Sequence, residues 1–149
     1  SKFKVVVTDF IQAPLQIEEG ILGETADVTA LNAFSETDLV GKVEDADAIM
    51  IYHFILDLEK IDQLKNCRLI VRCGVGYDNV DWKFARQNGI DVANVPDYGT
   101  EEVADSAIGM MLALTRGIHY MNNRLQRSAG PWIYEQVKPV YRLRGRTFG

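Results

Sequence analysis

Leu69-Ile70-Val71-Arg72-Cys73-Gly74-Val75-Gly76-Tyr77-Asp78-Asn79 sets a short apolar run directly against a glycine-punctuated turn. A brief β-branched run bounded by turn residues reads as a strand, and its neighbours in sequence decide what sheet it joins. Runs of the same character recur at Lys4 to Thr8, Asp27 to Ala30, Ala48 to Ile51 and Asp91 to Asn94. The segments between them have helical patterning: Leu15 to Leu22, Ser35 to Val43, Leu58 to Leu64, and Trp82 to Gln87, the last closed by Asn88-Gly89. Strands alternating with helices pair in parallel, because parallel neighbours need a crossover between them. The expectation is therefore a doubly wound α/β domain around a parallel sheet of about five strands.

Composition narrows the function. The 149 residues are 47% hydrophobic and 25% charged, enough to build one core. A net charge of -5 with a pI near 5.0 offers no basic field for phosphates, so neither nucleic acid nor an acidic membrane surface is the expected partner. A small diffusible ligand is. No apolar run reaches the roughly 18 residues of a membrane span, and the start at Ser1-Lys2-Phe3-Lys4 lacks a signal-peptide stretch, giving a cytoplasmic expectation. Cys67 and Cys73 lack metal-ligand spacing and read as buried thiols, with no metal site implied.

Beyond Val95-Pro96 the pattern changes. Thr100 reads as an N-cap with Glu101 and Glu102 in the first turn, where acidic side chains suit the helix dipole. Val103, Ala107, Met110, Leu114, Ile118, Met121 and Leu125 follow at steps of three or four, predicting one long packed helix with both methionines in a core. Ser128-Ala129-Gly130-Pro131 ends it, and Trp132 to Tyr141 reads as an irregular or short helical arm whose Trp132, Tyr134 and Tyr141 cover another surface.

In an open α/β sheet, ligands collect outside the carboxyl ends of the strands. The third run ends in Tyr52-His53-Phe54 and the fourth in the glycine turn, so both face one crevice. Gly74 and Gly76 suit a tight turn with backbone N–H groups free for an anion, and Arg72 adds a fixed charge for a small acid. On spacing alone other readings stay open. The glycine pair is equally a plain turn, His53 a hydrogen-bonded structural residue, and Arg72 the partner of Asp78. Gly74-x-Gly76-x-x-Asn79 lacks the third glycine of the dinucleotide fingerprint.

Ile70 to Asp81, followed by Gly89-Ile90, Asn94-Val95-Pro96 and Glu102-Val103-Ala104-Asp105, resembles the D-isomer-specific 2-hydroxyacid dehydrogenases, most closely the corepressor-like C-terminal-binding-protein branch, with phosphoglycerate dehydrogenases as near cousins. The resemblance implies a flavodoxin-like, substrate-binding lobe over residues 1–100. Residues 101–149 would then be a long crossing helix and an arm leading into a nucleotide-binding domain, of which Leu143 to Gly149 resembles the entry. It implies NAD or NADP as cofactor, a 2-oxo or 2-hydroxy acid as substrate, and a homodimer at full length. The family's catalytic arginine, acid and histidine fall beyond residue 149. By matching position, substrate binding falls on Gly74, Val75 and Gly76 of the loop and on Tyr52, His53 and Arg72, while Val75 and Val103 border the cofactor. A non-catalytic, corepressor-like sensor of a ligand or partner is the alternative the resemblance carries.

Overall fold

All five runs are strands in the computed structural model of the chain, which describes residues 1–131 and 133–149. β1 (Phe3–Val7), β2 (Ala26–Ala30), β3 (Ala48–Ile51), β4 (Leu69–Arg72) and β5 (Asp91–Asn94) form one sheet in the order β2-β1-β3-β4-β5, every pair parallel. The order reverses at β1. Right-handed crossovers then send the connections to opposite faces on either side of the reversal, which is the doubly wound, flavodoxin-like arrangement. Register aligns Val7 with Met50 and Ile51 with Arg72, so β1, β3 and β4 finish at one level.

Burial explains why such short runs are strands. Val6, Val7, Ile49, Ile51 and Ile70 on the three central strands are at most 1% exposed, as strands covered on both faces require. Leu56, Ile61, Val80, Ala85 and Ile90 complete this core from the flanking segments, each such aliphatic side chain contributing about 1.5–3 kcal/mol when fully buried. The edge strands β2 and β5 alternate between exposed and more covered residues instead.

Helices α1 (Gln16–Leu22), α2 (Leu58–Asp62) and α3 (Trp82–Gln87) lie where expected. The last two start on aspartates whose side chains accept a third-position amide, Asp57 from Lys60 and Asp81 from Phe84, each at 3.1 Å. The helix expected over Ser35 to Val43 is only a 3-10 turn, Glu36–Leu39. Its capping box between Ser35 and Asp38 is formed, but Val40 turns extended and Gly41 takes φ +78, which stops propagation.

The chain divides into two compact units, Ser1–Tyr98 and Gly99–Gly149. In the second, the expected single helix is two: α4 (Thr100–Thr115) and α5 (Ile118–Gln126), separated by Gly117 at φ +66. A left-handed residue cannot continue a right-handed helix, so the apolar stripe is cut between Leu114 and Ile118. Gly99, not Thr100, is the N-cap; Thr100 is the first helical residue. Nor are the methionines core residues: Met110 is 61% exposed and Met121 only half-buried. Neither helix contains a buried residue, so its apolar side chains lack the covering that a core position needs. The arm holds a second 3-10 turn, Tyr134–Val137, and Tyr134 and Tyr141 are exposed in this chain; Trp132 lies outside the described residues. Among the described residues, no helix is long and apolar enough to cross a membrane.

Candidate functional site

Three loops of the first unit meet where β1, β3 and β4 end, and a buried carboxylate ties two of them together. Asp9, just past β1 and 3% exposed, accepts the amides of Tyr52 at 3.1 Å and His53 at 2.8 Å and the Thr8 hydroxyl at 2.6 Å. Burying a carboxylate is costly unless its oxygens are bonded. Here those bonds fix the turn in which β3 ends, with His53 Nδ1 3.6 Å from the same carboxylate. The His53 side chain is otherwise two-thirds exposed, at 66%. Burial, and then the neighbouring Cys73 thiol, push the Tyr52 hydroxyl up to about 12. Phe10 completes the cluster: its ring centroid lies 5.2 Å from Tyr52 and 5.1 Å from His53.

The glycine loop is stapled to the same turn. The Asn79 side-chain amide donates to the Phe54 carbonyl at 2.7 Å and the Tyr52 carbonyl at 3.4 Å, and the Asn79 backbone carbonyl accepts from the Leu56 amide at 2.8 Å. Two loops from adjacent strands are thereby held as one surface. Of the three loop amides expected to be open, Val75 and Gly76 are: neither donates to a protein acceptor among the described residues. Gly74 departs from the expectation, because its N–H closes on the Arg72 carbonyl at 2.8 Å and its carbonyl accepts from Val95 at 3.0 Å.

Gly74 serves instead to seat Arg72. A Cβ there would stand 1.6 Å from Arg72 Nη1 and 2.8 Å from its Cζ, so the guanidinium occupies space that a side chain at position 74 would take. Arg72 makes no ion pair among the described residues, with Asp78 or any other acid, and its buried Nε has no hydrogen-bond partner. Burial pushes the half-covered Cys73 thiol up, leaving it a neutral wall; Cys67 is buried and likewise raised.

Tyr52, His53, Arg72, Val75 and Gly76 are thus gathered at one end of the sheet, with Gly74 beneath them. Val103 belongs to the second unit, on α4, and is 70% exposed. Sequence reasoning passed over Asp9, Asn79 and Phe10. The available signal for Asp9 was an acid placed immediately after a β-branched run, at a strand end. A fixed cation beside two unengaged amides can grip one carboxylate by charge-assisted bonds.

The catalytic-domain model of the D-isomer specific 2-hydroxyacid dehydrogenases matches residues 5–142. A D-3-phosphoglycerate dehydrogenase of Methanocaldococcus jannaschii is 32% identical over 148 residues, covering 98% of this chain and 27% of the relative. Among solved structures, an NADPH-dependent glyoxylate/hydroxypyruvate reductase from Sinorhizobium meliloti in complex with NADP and malonate is 30% identical. It matches with a TM-score of 0.76, covering 99% of this chain and 45% of that one. An NAD+-bound 3-phosphoglycerate dehydrogenase of Entamoeba histolytica is also 30% identical, with a TM-score of 0.68, covering 78% of this chain and 40% of that one. The chain therefore spans about a quarter of the curated relative and less than half of these solved chains.

Proposed function

We propose, because the chain belongs to the D-isomer specific 2-hydroxyacid dehydrogenase family, that it is the substrate-binding portion of an NAD(P)-dependent oxidoreductase acting on a 2-oxo or 2-hydroxy acid. The observation that carries this is the pair of amides, Val75 and Gly76, unengaged among the described residues, near an arginine that makes no ion pair among them. The amides take the substrate carboxylate through hydrogen bonds and Arg72 neutralises it. Asp9 holds the Tyr52-His53 turn against the other side of the same crevice. His53, exposed beside Asp9, is placed to donate to a polar substrate atom. Residues 1–100 act as the substrate lobe, and residues 101–149 as the passage to a nucleotide-binding domain.

Nicotinamide, when bound, supplies or accepts the hydride at C2. Val75, half-exposed next to its own open amide, is the apolar contact the first unit offers that ring, and Val103 is assigned to the cofactor by matching position alone. The Gly74 loop lacks the third glycine of a pyrophosphate cradle, so the rest of the dinucleotide needs residues other than these. Acidic net charge disfavours nucleic acid as partner. At full length the protein is a homodimer working in the cytoplasm. The relatives described above are dehydrogenases and a reductase, which does not favour the corepressor-like sensor.

The test is Arg72→Ala in a full-length version. One charge-assisted contact is commonly worth about 1.5–3 kcal/mol, so kcat/KM for an acidic substrate should fall roughly ten- to over a hundredfold, mainly through KM. An unchanged kcat/KM with a lowered Tm would make Arg72 a packing residue and remove the carboxylate grip.

A further inference from the structure

We propose that the crevice is built for a 2-oxo or 2-hydroxy monocarboxylate carrying an aromatic side chain, the ring seating on Phe10, Tyr52 and His53, and that it discriminates against a phosphorylated acid. This rests on the carboxylate grip at Val75, Gly76 and Arg72 proposed above.

The first support is Phe10. It is 71% exposed and held at φ +71, a left-handed conformation that a bulky residue rarely adopts. Neither burial nor a turn preference explains an aromatic residue there. What the conformation achieves is a ring cluster: Phe10 tilts against Tyr52 and meets His53 edge-on, with Tyr52 and His53 6.4 Å apart. The cluster adjoins the glycine loop, since the Tyr52 and Phe54 carbonyls are tied to the Asn79 side chain. A substituent leaving C3 of a bound acid has this aromatic surface to rest on. Offset or edge contacts between rings at such spacings are favourable beyond plain apolar burial.

The second support is charge. The loops at this end of the sheet, residues 8–15, 31–35, 52–57, 73–81 and 95–99, contain no lysine or arginine; Arg72, the last residue of β4, is the fixed cation. The same loops carry Asp9, Asp57, Asp78, Asp81 and Asp97. Of the nearby helix cations, Lys60 is paired with Asp57 at 2.8 Å and Glu36 at 3.1 Å, while Lys83 on α3 lies over the Trp82 ring on a long, mobile side chain rather than as a fixed charge. One arginine with two amides suffices for one carboxylate. A phosphate dianion on the same molecule would find no second fixed cation in these loops and would face aspartates.

The experiment titrates phenylpyruvate, pyruvate and 3-phosphoglycerate into the isotope-labelled chain, following the Val75 and Gly76 amides and the Phe10 ring by NMR. Phenylpyruvate should bind about tenfold more tightly than pyruvate, shift both the amides and the ring, and outcompete 3-phosphoglycerate. Phe10→Asn keeps a residue tolerant of left-handed φ while removing the ring; it should bring the phenylpyruvate-to-pyruvate ratio close to one. Equal affinities in the unaltered chain, or preference for 3-phosphoglycerate, would overturn the aromatic subsite while leaving the grip standing, provided the amides shift. If no acid moves the Val75 and Gly76 amides, the grip itself falls and this inference with it.

Discussion

At the scale of single residues, the site depends on which side chain is left room to lie where. Gly74→Ala tests this directly. The atoms a new Cβ would strike are the far end of the Arg72 side chain, which can swing away, so the fold should lose less than about 1 kcal/mol while the guanidinium is displaced. Chemical denaturation should then show nearly unchanged stability, and titration with pyruvate should show affinity falling towards that of Arg72→Ala. Parallel losses of stability and affinity would mean that Gly74 matters for the turn itself. Tyr52 gives a second test. Its phenol is held near 12 rather than 10, first by burial and then by Cys73. A group raised in this way favours the folded state fully below pH 10 and loses that contribution as pH climbs towards 12. Alkaline titration at the phenolate band should contain a late component near pH 12 that is missing in Tyr52→Phe. The Arg72-to-Gly76 segment was legible as a glycine turn at a strand end because residue type alone marks it, although the engaged Gly74 amide was not. Asp9 was not, because its partners are 43 and 44 positions away and only the β1–β3 pairing brings them to it.

At the scale of elements, what the sequence displayed well was the sheet, because fully covered strands must be apolar without interruption. What it displayed poorly was where helices stop. The stripe from Val103 to Leu125 keeps its spacing across Gly117, so periodicity alone joins α4 to α5. Between them stand Arg116 and Gly117, and it is the glycine's positive φ, which no pattern announces, that breaks the helix. Val40-Gly41 ended the 3-10 segment in the same way. The surface of α4 carries a consequence. Val103, Met110 and Leu114 on one face of the helix and Ile108 and Leu112 on the opposite face are all exposed, and a helix apolar on both faces is expected to be covered by a partner. The chain should bind a hydrophobic dye and show concentration-dependent mass by sedimentation, both diminished in Ile108→Lys. Monomeric behaviour at high concentration with little dye bound would mean that α4 is shielded in solution.

At the scale of the whole molecule, the chain's own residues divide a hydride-transfer reaction into the part they perform and the part they do not. In the reading proposed above they supply a carboxylate grip, an aromatic wall and an imidazole at one end of the sheet. Their glycine loop has no third glycine for a pyrophosphate, and their net charge of -5 opposes a dinucleotide that is itself an anion. Tyr52 and Cys73, beside the same turn, are both pushed towards their neutral forms by burial. The purified 149-residue chain should therefore bind a small 2-oxo acid yet oxidise no 2-hydroxy acid with NAD or NADP. With a panel of such acids, nicotinamide absorbance should not change above the enzyme-free control, under conditions in which the Val75 and Gly76 amides still respond to pyruvate. Binding without turnover is the pattern expected of a substrate lobe. Turnover abolished by Arg72→Ala would show that these residues complete a nicotinamide site without further help, and the division of labour proposed for the two units would have to be redrawn.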